Sequence, residues 1–367
     1  MRWQGLRVGL IGPLPPPAGG MATQTRQLAE LLAGEGVAVT LVPVNAPYTP
    51  AWVRGLKGAR AVFRLVPYML KLWRCVGDVQ LLHVMANSGW SWHLFAAPAV
   101  WIARARGVPV IVNYRGGEAA PFLERSVRWV RPSLAAASLL AVPSDFLREV
   151  FGRHRIEAHL LPNIVDLSRF RFAVRRQHDA PHIVVTRNLE TIYDIPTAIR
   201  AFARVVAAFP AARLSVAGSG PELANLEALA AKLGIAGSVC FVGALGRDQI
   251  AALYREADLM LNPSRVDNMP NSVLEAMACG LPVVSTSVGG VPYIVRDGVS
   301  ALLVDAGDAE AMAAAVLRLL RDAEFAERLA AAGFVDVQQY TWARVRVRLG
   351  ELYERVLPAG AARMTTA

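Results

Sequence analysis

The stretch LMLNPSRVDNMPNSVLEAMACGLPVVSTSVGG, residues 259–290, decides how this chain is read. Leu259 to Asn262 is apolar and of strand length, and Pro263 ends it. Asn271 is a capping residue ahead of a helical run from Ser272 to Cys279. LPVVSTS (281–287) reads as the next strand, closed by Gly289-Gly290. A helix entered after a parallel strand points N–H groups without intrahelical acceptors, here about Asn271 to Val273, beyond the strand's carboxyl end. Such a place suits an anion, a phosphate above all. Asp267 in the loop and Glu275, read here in the first helical turn, stand eight positions apart. Two carboxylates beside a phosphate can accept hydrogen bonds from sugar hydroxyls, which suggests a sugar nucleotide. The plain alternative is an ordinary strand–helix unit with solvated acids.

The same alternation extends outward. LRVGLIG, VAVTLVPV, VQLLHVMA, VPVIVNYR, SLLAVPS and AHLLPN are short apolar runs separated by helical stretches. After the charged linker RFRFAVRRQHDA (169–180) the pattern restarts with PHIVVTRN, ARLSVAG, SVCFVG, DLMLNP, LPVVSTS and ALLVD. Two such series predict an α/β chain with two doubly wound parallel sheets, each covered by helices on both faces. Ligands of these folds sit beyond the carboxyl ends of the strands, so two facing domains would form a cleft. The 367 residues suit about two domains, and 54% hydrophobic content supplies both cores.

Three scattered cysteines and six histidines show no paired metal-ligand spacing, which argues against a zinc site or a disulfide framework and fits a reducing cytoplasm. No apolar run reaches the ~18 residues of a membrane-spanning helix, and VGLIG is too short for a secretory segment. Through Arg175 there are 21 Lys and Arg against 9 Asp and Glu; the remainder has 18 against 20. Basicity therefore belongs to the N-terminal half. Nucleic acid, an anionic membrane surface or an acidic substrate could each explain it. Without a recognised nucleic-acid-binding fold, the membrane is favoured and nucleic acid is not expected.

Asp267, seven intervening positions and then Glu275 within LEAMA resemble the signature of the retaining glycosyltransferases of family 4, which have the GT-B fold. LRVGLIGPLPPPAGGMATQTRQLAELLAGEG (6–36), VPSDFLREVF (142–151) and LLPNIVDLSRF (160–170) resemble the first half of that family. VAGSGPELANLEALAAKLG (216–234), VCFVGAL (239–245) and VRDGVSALLV (295–304) resemble the second half, in the family's order. The likeness covers about residues 6 to 357. It implies a metal-independent hexosyltransferase with no cofactor, two Rossmann-like domains facing across a cleft, and a nucleotide-diphosphate sugar as donor. Residues 1–172 would bind the acceptor and 173–340 the donor, and a helix over 341–357 would cross back to the first domain.

By the same resemblance, Glu275 binds the ribose hydroxyls and Asp267 lies near the transferred sugar or its phosphates. Backbone N–H groups from Asn268, Met269, Asn271 and Ser272 would serve the sugar and phosphates, while Pro270 has none to offer. Gly19 and Gly20 would let the backbone approach a diphosphate ahead of a helix opened by Ala22 and Thr23; a bare turn is the alternative. Gly218 begins a second glycine turn, with Pro221 at a favoured first helical position, and Leu245 closes the VCFVGAL segment beside the donor. Nothing resembles a DxD metal site, so fixed donors must meet the charge of the leaving group.

Several positions depart from the family. Asp267 stands where Glu is usual. Asn188 and Tyr193 occupy the places of the usual Arg and Lys that grip the diphosphate, with Arg187 one residue early. Arg115, in NYRGGEA, replaces a common His and brings a fixed charge suited to phosphate; it counts with Asp267 and Glu275 among the candidate catalytic residues. Tyr293 replaces a common Glu. These changes resemble an exopolysaccharide-associated subgroup.

In RGLKGARAVFRLVPYMLKLWR (54–74), helical spacing gathers Lys57, Arg60, Arg64, Lys71 and Arg74 in one third of the circumference. Val62, Leu65, Val66, Met69, Leu72 and Trp73 fall opposite, and Pro67 interrupts the run. This fits a helix lying on the anionic cytoplasmic face of the inner membrane, beside a lipid-linked glycan acceptor. A core-facing helix with a basic outer side is the alternative. Other functions on this architecture are a nucleotide-sugar epimerase or phosphorylase, or a catalytically weak membrane-associated sugar-nucleotide scaffold. Phosphorylases of this type carry a pyridoxal-phosphate lysine, and the second half's only lysine, Lys232, lies in a helical run outside any such context, which argues against that reading.

Overall fold

A computed structural model describes residues 3–16, 19–47, 60–173 and 180–358. The chain divides into two compact units, one running to Ile164 and resuming at Val345, the other spanning Val165–Arg344.

The first unit is built from β1 (Arg7–Gly12), α1 (Gly20–Gly34), β2 (Ala38–Pro43), α2 (Arg60–Asp78), β3 (Leu81–Ala86), α3 (Ala97–Ala105), β4 (Val110–Tyr114), α4 (Ala119–Ala136), β5 (Leu139–Val142), α5 (Asp145–Arg153) and β6 (His159–Leu160). The strands form one parallel sheet in the order β2-β1-β3-β4-β5-β6. Every residue of β3 and β4 is buried, as expected of central strands covered on both faces. Tyr68, Leu72, Cys75 and Val76 of α2 join Val100 of α3, Leu123 of α4 and Phe151 of α5 in one apolar cluster. Helix α2 runs unbroken through Pro67, contrary to the interruption expected there. Pro67 is exposed, so the carbonyl left without an N–H partner can face water.

The second unit contains β7 (His182–Thr186), α6 (Ile195–Ala208), β8 (Arg213–Ala217), α7 (Leu223–Lys232), β9 (Val239–Gly243), α8 (Arg247–Glu256), β10 (Leu259–Asn262), α9 (Asn271–Ala278), β11 (Val283–Thr286), β12 (Leu302–Val304), α10 (Ala309–Arg321) and α11 (Ala323–Val337). Its parallel sheet has the order β12-β11-β10-β7-β8-β9. Val165 donates its N–H to Tyr340 O at 2.9 Å, and Phe170 packs on Tyr254 with ring centroids 6.1 Å apart. Helices α10 and α11 are capped by Asp308 and Asp322, whose carboxylates accept from Ala311 N (2.8 Å) and Phe325 N (2.9 Å). The last helix, α12 (Trp342–Val356), carries Tyr353 into contact with His83 of β3.

In the second unit two helix starts differ from expectation. Asn271 is the first residue of α9, and the cap position belongs to Pro270, whose extended conformation (φ −66°, ψ 117°) turns the chain into the helix without needing an N–H. Glu275 therefore sits in the second turn. Helix α7 begins at Leu223 rather than at Pro221, because Glu222 first donates its N–H to Leu189 O at 3.1 Å.

Candidate functional site

In the second sheet the strand order reverses between β10 and β7, and such a reversal opens a crevice beyond the carboxyl ends of the two strands. Arg187 leaves the end of β7, and Asp267 stands in the loop after β10. The Arg187 guanidinium donates to the Asp267 carboxylate, to Ser264 Oγ (3.1 Å) and to Ser272 Oγ at the start of α9 (3.3 Å). It also lies over the Tyr193 ring, 4.3 Å from the centroid. The Arg187 Nε is buried without a partner among the described residues. Burial pushes the Asp267 pKa above its ordinary value, and Arg187 and Ser264 oppose this.

A buried polar set holds the loop. Ser264 Oγ donates to Asn262 Oδ1 at 2.9 Å, and Asn262 Nδ2 donates to Ser285 Oγ at 2.9 Å. Thr286 Oγ1 donates to Ser264 O at 2.5 Å. Gly290 N–H closes onto Asp267 O at 3.1 Å. A Cβ on Gly290 would overlap the Asn268 carbonyl oxygen, so only glycine allows that approach. Tyr254 hydrogen-bonds with Ser272 O (3.2 Å) and Thr186 Oγ1 (2.5 Å), which fixes the first turn of α9. Asn268, Met269, Pro270 and Ser272 are buried, and Asn271 is half-buried.

Glu275 is partly buried on α9. Burial pushes its pKa up to about 7; Arg247 and Arg169 pull it down and Asp166 pushes it up. Arg169 is itself held by Asp248 at 2.7 Å and Asp166 at 3.5 Å. The loops after β7, β8 and β9 are laced together by Gly218 N–H to Gly243 O (2.8 Å) and Leu189 N–H to Ser219 O (3.0 Å). A side chain on Gly218 would strike the Arg187 carbonyl. Leu245, half-buried, follows β9. Asn188 turns instead to Glu190, whose Oε1 accepts from its amide at 3.2 Å.

Arg187, Gly218, Asp267 to Ser272 and Glu275 all lie on segments that follow the strands at one end of one sheet. Ser264, Tyr254, Arg247, Arg169 and Asp166 were missed. Only the placement of Arg247 at the start of a helix after VCFVGAL could have drawn attention to it. Tyr293 is exposed in a short turn of 3-10 helix.

The remaining candidates lie in the first unit. Gly19 is the N-cap of α1 and accepts from Thr23 N at 2.9 Å, and Gly20 is already helical, so the helix opens before Ala22. Arg115 follows β4; its Nε donates to Asn113 Oδ1 (3.2 Å) and its Nη1 to Asn163 Oδ1. Burial pulls its pKa down to about 9, leaving it a cation at neutral pH. Lys57 lies outside the described residues, as does the side chain of Arg60. On α2, Lys71 and Arg74 are exposed and Arg64 is half-buried. Val66 and Trp73, expected on the side opposite the bases, are exposed with Phe63 and Leu70. Tyr68, Leu72, Cys75 and Val76 fill the arc facing the sheet, with Met69 packed at its edge, and Phe63, Val66, Leu70 and Trp73 fall outside it. Among the described residues no group of three His, Cys, Asp or Glu could hold a metal ion, and no helix is long and apolar enough to cross a membrane.

Residues 167–335 match the family Glycosyl transferases group 1, and residues 18–169 match Glycosyltransferase Family 4. The chain is a glycosyltransferase. It is 28% identical to a D-inositol 3-phosphate glycosyltransferase of Segniliparus rotundus, over 94% of this chain and 86% of that one. The fold of this glycosyltransferase is also that of sucrose-phosphate synthase from Thermosynechococcus elongatus, with a TM-score of 0.75, 20% identity and coverage of 95% and 98% of the two chains. A UDP-glucose complex of Anabaena HepE gives a TM-score of 0.72 at 15% identity, covering 95% and 99%. Two six-stranded parallel sheets with these neighbours make the glycosyltransferase a GT-B protein.

Proposed function

We propose that this glycosyltransferase moves a sugar from a nucleotide-diphosphate donor, with retention at the anomeric carbon, to a lipid-linked glycan in exopolysaccharide or envelope synthesis. The observation that carries the donor reading is the Arg187 guanidinium against Ser272 at the N-terminus of α9, with Glu275 one turn further on. A cation and a helix start together offer fixed positive potential to a departing diphosphate, and Glu275 offers acceptor oxygens to the ribose. The second unit then binds the donor and the first the acceptor. The binding of UDP-glucose by the Anabaena neighbour supports the donor class. The subgroup-like segments NYRGG (113–117) and RNLETIY (187–193) support the acceptor class.

The exposed arc of α2 supports a membrane location for the acceptor. One half of it is apolar (Phe63, Val66, Leu70, Trp73) and the other basic (Arg74, Lys71, Arg64), the composition of a helix lying in an anionic interface. Trp101 of α3 and Trp129 of α4, also exposed, belong to helices of the same apolar cluster.

Thermal shift with UDP-, GDP-, ADP- and dTDP-sugars, followed by transfer of radiolabelled sugar to a crude lipid extract, tests the reading. Stabilisation by one donor and label in the lipid phase are expected; no stabilisation by any nucleotide sugar refutes it. Donor binding without transfer would favour a sugar-nucleotide scaffold, a reading that draws on Arg187 being already engaged by Asp267.

A further inference from the structure

Arg115 stands at the carboxyl end of β4, next to the strand pair β1–β3 where the first sheet reverses its order. It is a largely buried cation with no carboxylate partner among the described residues; Glu118, three residues on, is exposed and forms no ion pair with it. An unpaired buried charge is costly and is retained where something else supplies the counter-charge. A guanidinium has five N–H donors. One serves Asn113 and one Asn163, which leaves three, on two nitrogens, without a protein acceptor among the described residues.

The side chain is held from behind by a fully buried relay. A guanidinium only donates, so the Asn113 oxygen faces Arg115 and its Nδ2 faces His83 Nε2 at 3.0 Å. His83 Nε2 must therefore accept, its proton sits on Nδ1, and Nδ1 donates to Tyr353 Oη on α12 at 3.1 Å. His83 and Asn113 are fully inaccessible and Tyr353 is 1% exposed. Burial, reinforced by Arg115, keeps His83 neutral, with its pKa pulled down to about 3. Three neutral polar residues from two strands and a helix thus fix the rotation of one guanidinium. An arginine that merely filled space would not require this, because any rotamer reaching water would satisfy it.

We propose that Arg115 is the receptor for a phosphoryl group carried by the acceptor substrate, and that Asn113, His83 and Tyr353 are positioning residues that aim its free N–H edge. Three remaining donors suit the non-bridging oxygens of a phosphoryl group, two on each phosphorus of a glycan-bearing diphosphate and three on a phosphate monoester. The inference rests on the acceptor role proposed for the first unit. A prenyl diphosphate and a soluble phosphate ester present the same chemistry.

Inorganic phosphate and farnesyl diphosphate in neutral detergent are the probes, titrated calorimetrically into the full chain. Arg115→Gln is expected to weaken both at least tenfold, and Arg328→Gln, at an exposed arginine paired with Glu324, to leave both unchanged. Asn113→Asp places a carboxylate against Arg115 and a hydrogen-bond acceptor beside His83. It is expected to lower phosphate affinity at least tenfold without lowering the melting temperature, which separates competition for the charge from loss of fold. Tighter binding of farnesyl diphosphate than of phosphate by more than tenfold assigns the group to a lipid carrier, and equal binding to a soluble ester. Phosphate binding of wild-type strength in Arg115→Gln, or none in the wild type, overturns the proposal. A chain that binds nucleotide sugars through Glu275 but fails this test refutes the acceptor inference alone; the reverse pattern refutes only the donor reading.

Discussion

Arg187 and Asp267, 80 positions apart in sequence, form an ion pair at the ends of β7 and β10, the two strands between which the second sheet reverses its order. Their side chains are 11% and 10% exposed. The pair therefore occupies the place where an α/β sheet receives a ligand, and under the proposed function a donor diphosphate would share Arg187 with Asp267.

Removing one partner leaves a buried charge uncompensated. Arg187→Gln should lower unfolding free energy by about 3–5 kcal/mol. The double variant with Asp267→Asn should lose clearly less than the sum of the two single variants, since the residues act as one unit. Urea titration of the four proteins measures this. If donor charge is met as proposed, Arg187→Gln also lowers kcat by ~10²–10³, and the double variant does not recover it.

Glu275 sets a pH dependence. Its folded-state pKa of about 7 lies above the ordinary carboxyl value, so the folded protein holds this proton more tightly than the unfolded chain does. Ionising Glu275 therefore costs stability progressively as pH rises from about 4.5 to about 7, and below that window the group contributes nothing. Glu275→Gln should melt higher than wild type at pH 8, and the difference should vanish at pH 4. Its nucleotide-sugar affinity should be low and flat with pH, whereas that of wild type should rise through pH 7.

Gly290→Ala pushes a methyl group into the Asn268 carbonyl and displaces the loop that carries Asp267. Loss of several kcal/mol of stability and weaker donor binding are expected, as for other backbone clashes. Gly237→Ala is the control: nothing lies within 4 Å of its Cβ position, and it should change stability by less than ~0.5 kcal/mol.

For α2, co-sedimentation with vesicles containing phosphatidylglycerol should exceed that with neutral phosphatidylcholine. Lys71→Glu with Arg74→Glu should abolish the preference. Leu70→Ser with Trp73→Ser should weaken binding even at low salt, because these side chains are exposed and supply apolar area rather than charge.

The fold was legible because short continuous apolar runs alternate with helical stretches in two series, which is how a parallel sheet buried on both faces appears in sequence. The loop after β10 was legible as a candidate because Asp267, the approach to the helix and Glu275 are local. Arg187 could only be suggested, since nothing in RNLETIY shows that its guanidinium reaches a carboxylate 80 residues away. The surroundings of Glu275 were hidden for the same reason: Asp166, Arg169 and Arg247 reach it from two other segments. On α2 the periodic reading separated bases from apolar residues but could not tell buried apolar positions from exposed ones.

The sequence by itself determined the two parallel sheets, the place of the crevice after β10 and the residue types that could meet a sugar nucleotide, because these depend on neighbours a few positions apart. Tertiary structure alone decided which cation meets which acid, how far burial moves Glu275, and that Arg115 is aimed through Asn113 and His83 from a helix 270 residues beyond His83. Such pairings depend on distance and desolvation in the folded chain, and neither is a property of sequence separation.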